Sequence, residues 1–181
     1  LGNKLSSFDW TKHPVYTGIS MATVDDSRSP VTVTKIPLFY IRTAVSGPVG
    51  TFADGKKCWW ISDLQDTGYR PAACFKRSTS TDAKGKYVIS PYCYVGTFLG
   101  HTETVGGVTC LGSKRSQTVA VSQSKATIKT YITNRNNTTA GVSGFRMFDI
   151  WDIGALRILM LVAKANTDSQ NTWGDNSTPM T

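Results

Sequence analysis

Residues 149–165 read DIWDIGALRILMLVAKA, and no other part of the chain resembles this stretch. Ile150, Trp151, Ile153, Leu156, Ile158, Leu159, Met160, Leu161 and Val162 would cover nearly the whole circumference of a helix. A helix that is apolar all round belongs in a protein interior. Asp149 and Asp152 fall where a first turn would begin, and carboxylates there suit the helix dipole and the open N–H groups. Lys164 suits the last turn and Asn166 a stop. At about 1.5 Å per residue such a helix is about 25 Å long, roughly the width of a small domain. The segment therefore predicts one buried central helix near 149–166, with the remaining elements packed round it.

Those remaining elements read as short strands. VTVTKIPLFYIRT is β-branched and aromatic, with Pro37 marking an edge or a bulge. CWWIS follows a turn-like segment, and in a strand one of Trp59 and Trp60 points inward and the other outward. GKYVISPYCYVGTFLG is strand-like, with a break or bend at Pro91, and SQTVAVSQ is a short candidate. ATIKTYIT alternates, with Ala126, Ile128, Thr130 and Ile132 on one side. Gly-, Asn-, Ser- and Thr-rich stretches, among them STSTDAKG, TVGGVTCLGSKR and TNRNNTTAGVSG, read as connections. The expected class is α+β, mostly β, in a single domain over residues 1–181. The chain lacks an initiator Met and an apolar leader, so an excerpt or a processed product is expected. No stretch reaches the roughly 18 apolar residues of a membrane span.

Chemistry-bearing patterns are sparse. His13 and His101 are the only histidines, and neither has a second ligand at metal spacing. No nucleophile elbow, HExxH, P-loop or GxGxxG motif is present. DDSRS lacks the alternating oxygens of a calcium loop. Cys58, Cys74, Cys93 and Cys110 are widely spaced beside apolar segments, and read as buried free thiols, with a disulfide between two of them as the alternative. The sequons at Asn136–Thr139 and Asn176–Thr178 are ordinary in a chain this rich in Thr and Asn. No enzyme, metal or cofactor is expected.

Charge and aromatics point toward binding. The formal net charge is +8, and the span from Thr104 to Phe148 carries Lys114, Arg115, Lys125, Lys129, Arg135 and Arg146 with no acid. This reads as a face for an anionic polymer or an acidic neighbouring subunit, or else as a solvated surface. Lys114, Arg115, Lys125, Lys129 and Arg135 are the candidate contacts. Trp59, Trp60, Tyr69, Tyr92, Tyr94 and Trp173 are candidate stacking surfaces for sugars, whose C–H faces pack on rings. Trp173 stands apart, outside the predicted helix among Asn171, Asp175 and Asn176.

The order of several segments resembles the phage tail-fibre and receptor-binding proteins with a C-type-lectin-like fold. This is the variety related to formylglycine-generating enzyme and to diversity-generating-retroelement variable proteins. The segments are FDWTKHP, KIPLFYIR, CWWISD, GYRPAACF, YCYVGTFLG and GFRMFDIWDIGALRILMLVAKANTDSQNTWG, spanning about Phe8 to Gly174. Ile36–Ile41, Pro71–Phe75, Tyr94–Phe98 and Asp168–Gly174 stand where that family has its characteristic units. The Trp- and Gly-rich C-terminal part is missing here, so the resemblance implies a domain lacking that part or completed by another chain. It also implies a virion adhesion module, in the tail or on the capsid surface and assembled in the host cytoplasm. Such a module would recognise a bacterial surface glycan or protein as a homotrimer, with other virion proteins as neighbours and no nucleic acid or membrane insertion. Trp173, Asn171, Asp175 and Asn176 would then face the ligand. The alternatives are a structural virion component, such as a capsid decoration or baseplate piece, and an enzyme acting on polysaccharide. The scarcity of carboxylates outside turns weighs against the enzyme.

Overall fold

The computed structural model describes residues 9–44, 58–81 and 87–164. It is a mixed α+β protein built of small antiparallel sheets. Two compact units are woven from one chain, which crosses between them after Thr17, Pro37, Pro91 and Asp149.

The first unit holds α1 (Pro14–Thr17), β3 (Tyr40–Ala44), β4 (Cys58–Ser62), β5 (Arg70–Pro71), β6 (Lys76–Thr81), β7 (Tyr87–Ile89) and α3 (Ile150–Lys164). Strand β3 is central in the order β4-β3-β5. A 3-10 turn, Ala73–Phe75, leads from β5 into β6. Phe39 and Phe75, both fully buried, meet edge to face at 5.4 Å between centroids. The Ala72 N–H donates to the Phe39 carbonyl, which draws the two aromatic segments together. In the pairing of β3 with β4, Arg42 lies opposite Trp60 and Ile41 opposite Ile61. Trp59 therefore shares the face of Ile61, while Trp60 shares that of Arg42, whose guanidinium lies 5.7 Å from its ring centroid. Both indoles are half-buried.

Helix α3 forms where the sequence places it, but it is not buried all round. Asp152, Ala155, Leu159 and Ala163 are buried, a stripe at helical spacing that packs on the 3-10 turn and β4. Ile150 is 69% exposed, Trp151 62% and Ile153 42%. Composition alone did not reveal this, because the buried stripe uses small residues and one carboxylate while larger apolar groups point outward. The Tyr16 hydroxyl donates to the Leu159 carbonyl at 2.6 Å, and burial pushes its pKa well above the ordinary value, so it stays a donor. The expected stop at Asn166 lies outside the described residues.

The second unit holds β1 (Ser20–Val24), β2 (Val31–Pro37), β8 (Tyr92–Gly96), β9 (His101–Val105), β10 (Val108–Gly112) and α2 (Lys125–Thr133). Strand β2 is central in the order β1-β2-β8, and Val31, Val33 and Ile36 are buried. Pro37 ends β2 and Pro91 separates β7 from β8, as their missing donors require. Thr32, beyond the end of β8, donates to the Ser113 carbonyl and accepts from the Thr97 N–H. The stretch TVGGVTCLGSKR, expected as a connection, is instead largely the β9–β10 hairpin. Gly106 and Gly107 have φ of +59° and +79°, the left-handed values a two-residue hairpin turn needs. STSTDAKG likewise begins inside β6.

Two strand expectations fail. ATIKTYIT is helix α2, capped by the Ser124 hydroxyl, which accepts from the Thr127 N–H. Its half-buried positions Ile128, Tyr131 and Ile132 lead to buried Arg135, a helical stripe rather than a strand face. SQTVAVSQ is irregular; the Ala120 N–H donates to the Gly100 carbonyl, and Val121 is exposed.

The amphipathic reading of α3 makes a clear thermodynamic prediction. Leu159→Ala will cost about 2–5 kcal/mol in urea denaturation. Ile150→Ala will change stability by no more than about 0.5 kcal/mol. Equal costs at both positions would mean that the helix is enclosed on every side.

Candidate functional site

Two features of the second unit gather chemistry-bearing side chains. One is a buried ionic cluster centred on Arg135. The other is an exposed face on the three-stranded sheet.

Arg135 follows α2 and its side chain is fully buried. Its Nε donates to the Leu111 carbonyl at 2.9 Å, and one terminal nitrogen donates to the Ser29 carbonyl at 2.9 Å. That nitrogen also lies 3.4 Å from both oxygens of buried Asp26, and the other terminal nitrogen pairs with Glu103. Asp26 accepts the Arg28 and Ser29 N–H groups through Oδ1. Arg28 reaches Asp26 and the Asn134 carbonyl. Lys114 pairs with Glu103 at 2.8 Å and donates to the Ser29 hydroxyl, which itself donates to Glu103. Asn134 and Asn137 brace the same region through the Thr109 and Asp26 carbonyls. The cluster thus ties the β1–β2 loop, the β9–β10 hairpin and the end of α2 into one body.

Its electrostatics are those of a satisfied structural cluster. Burial alone would raise the pKa of Glu103, but its hydrogen bonds to Lys114, Arg135 and Ser29 and the charge of Arg135 outweigh it and bring it down to about 2. At Asp26 burial is likewise outweighed, by the loop N–H groups and Arg135, and the net shift is downward. His101 is buried, with Nε2 3.6 Å from Glu103, and its Nδ1 finds no hydrogen-bond partner among the described residues. The Ser29 hydroxyl is buried and committed to Glu103 and Lys114, so the cluster aims no nucleophile at an open surface. Burial also raises the pKa of the fully buried Cys110 thiol, which suits an inert core residue. Cys74 and Cys93 are half-buried.

These contacts correct part of the basic-face expectation. Arg135 is enclosed and cannot touch an external partner, because Asp26 and Glu103, acids outside the acid-free span, fold onto it. Lys114 is half-buried in the same cluster. Arg115, Lys125 and Lys129 remain exposed. The amides of Asn136 and Asn137 are engaged with backbone carbonyls, which bears against both as glycosylation acceptors. Trp173, Asn171, Asp175 and Asn176 lie outside the described residues.

The exposed face lies on β1, β2 and β8. Opposite residues in antiparallel strands share a face. The register sets Ser20 opposite Lys35, Lys35 opposite Tyr94, and Pro37 opposite Tyr92. Near Gly96 the same face is covered by Ser113, whose hydroxyl would lie 3.4 Å from a Cβ at that glycine. At the other end it is open: Tyr92 is 39% exposed and Tyr94 51%. Their centroids are 6.4 Å apart with the rings tilted by 48°, and the Lys35 ammonium sits 3.6 Å over the Tyr92 ring. The sequence named both tyrosines as candidate stacking residues but gave no sign of their pairing with Lys35. That pairing depends on a register linking residues almost sixty positions apart.

Comparison of the chain with protein-family models, with curated proteins and with solved structures finds no match. The class defined by the fold is therefore that of a mixed α+β protein of short antiparallel sheets, and within it the Lys35–Tyr92–Tyr94 face is the candidate binding site.

The downward shifts in the ionic cluster set a pH dependence. A carboxylate whose folded pKa is depressed stabilises the fold above its unfolded value and loses that contribution as pH falls through the folded value. Glu103 therefore contributes fully above about pH 4.5, and its contribution drains away down to about pH 2. Equilibrium unfolding across this range will show falling stability, and Glu103→Gln will flatten the dependence. A parent profile that is flat from pH 5 to pH 2.5 would contradict it. Arg135→Met, which takes the buried cation from Asp26 and Glu103 and leaves them to Arg28 and Lys114, will cost about 3–5 kcal/mol at pH 7.

Proposed function

We propose that this chain is a binding module of a phage virion, an adhesin of C-type-lectin-like type that attaches to a bacterial surface glycan. The observation that carries this reading is the exposed Tyr92–Tyr94 pair with Lys35 on one sheet face. Exposed rings held side by side on a sheet offer flat apolar surfaces to the C–H faces of sugars, and their hydroxyls and a neighbouring ammonium supply directional polar contacts. The ionic cluster supports the same reading. It spends its charges on internal contacts that hold hairpin, loop and helix together, as a rigid scaffold for a preformed site does. The order of motifs along the chain, from FDWTKHP to the segment ending at Gly174, adds the resemblance to phage receptor-binding proteins. In that reading Trp173, with Asn171, Asp175 and Asn176, provides further ligand contacts, and exposed Arg115, Lys125 and Lys129 face an acidic neighbouring subunit or polymer in a homotrimer.

The test is adhesion of the full chain to bacterial cells and to a glycan array, with Tyr94→Ala and Trp173→Ala as variants. Loss of binding by tenfold or more in Tyr94→Ala, with an unchanged melting temperature, is the expected result. If both variants adhere like the parent, the Tyr94 face is not the contact, and if the parent itself adheres to neither cells nor array, the chain is a structural virion component. If adhesion survives deglycosylation of the cells but not protease treatment, the receptor is a protein.

A further inference from the structure

We infer that the sugar taken by this face carries a carboxylate: the site fits an acidic glycan, with the ring C–H face on Tyr94 and the carboxylate on Lys35. The inference rests on the adhesion reading and narrows its ligand class. Three observations carry it. First, Lys35 has no carboxylate partner among the described residues, whereas Lys114, Arg28 and Arg135 of the same unit are all paired with Asp26 or Glu103. Second, the ammonium is not left to wander. It is held 3.6 Å over the Tyr92 ring, a contact that fixes the cation's position without neutralising its charge. Third, the register places Ser20, Lys35 and Tyr94 in one row across three strands, so a hydroxyl, a cation and an exposed ring stand side by side. A uronic-acid residue presents this complement: an apolar ring face, a carboxylate at the ring edge and hydroxyls beyond it. A nucleic-acid strand would need several cations following its phosphates, and this row holds one.

The probes are polygalacturonate and its methyl ester, which keeps the ring faces and removes the charge. Affinity electrophoresis and calorimetry with the full chain will show the acid bound roughly tenfold more tightly than the ester, the scale of a hydrogen bond to a charged group. Lys35→Met will erase that preference and leave ester binding in place. Tyr94→Ala will weaken both polymers. Lys125→Glu/Lys129→Glu, on the exposed side of α2, will leave the preference unchanged. Equal binding of acid and ester by the parent overturns the acidic-ligand inference and leaves glycan adhesion standing. Loss of the preference in the α2 double variant but not in Lys35→Met overturns it as well, since attraction would then come from general positive charge. Failure of the parent to retain either polymer or any array glycan overturns both readings.

Discussion

Arg135 is the residue on which the second unit depends. Its guanidinium is out of water, and a lone cation there would be prohibitively costly. Asp26, Glu103 and two backbone carbonyls make the position tolerable, and they come from three segments, the β1–β2 loop, β9 and β10. The geometry is specific to arginine: a planar fork can serve the Leu111 carbonyl, the Ser29 carbonyl and two carboxylates at once, as a lysine ammonium cannot. Hydrophobic burial supplies most of the stability of any such unit, yet it would accept many arrangements of a short helix on a hairpin. The cluster selects one of them. It fixes where β10 lies and, through Thr32 and Ser113, how the hairpin meets the sheet that carries Lys35, Tyr92 and Tyr94.

The two units solve the problem of burial differently. The first uses an aromatic pair, Phe39 and Phe75, under a helix that approaches closely because its inward stripe is made of alanines, one leucine and Asp152. The second unit has fewer large apolar groups inside and completes its interior with charge and hydrogen bonds.

Much of this organisation could be read from the sequence, and the misses have separate causes. Strands at VTVTKIP, CWWIS and YCYVG, the break at Pro91, and a helix from 150 were legible, because propensity and punctuation act locally; Pro37, read as an edge or a bulge, instead ends the central strand β2. The side of α3 that faces inward was not, since both faces are apolar. ATIKTYIT misled through its alternation; the competing signals were Ser124 as a cap and Thr130 and Thr133, whose hydroxyls bond back to the carbonyls four residues earlier. Arg135 looked like one more member of a basic span. Its acids lie at positions 26 and 103, and nothing local pairs them. The tyrosines of β8 were visible as candidates, but their lysine was not, since cross-strand register is a long-range property.

The four crossings between the units bear on how the protein is made. Neither unit is a continuous length of chain. The second needs residues up to Asp149 before its last segment is present, and the first needs α3, which is translated later still. A ribosome delivering the chain from its N-terminus therefore cannot release one finished unit and proceed to the next, as it does with domains strung in series. Strands β1 to β10 emerge while part of each unit is still unsynthesised, with edges unpaired and apolar faces uncovered. The second unit has all its segments once Asp149 is made and the first only after α3, and closing such sequence-distant pairings is the kind of topology that slows folding.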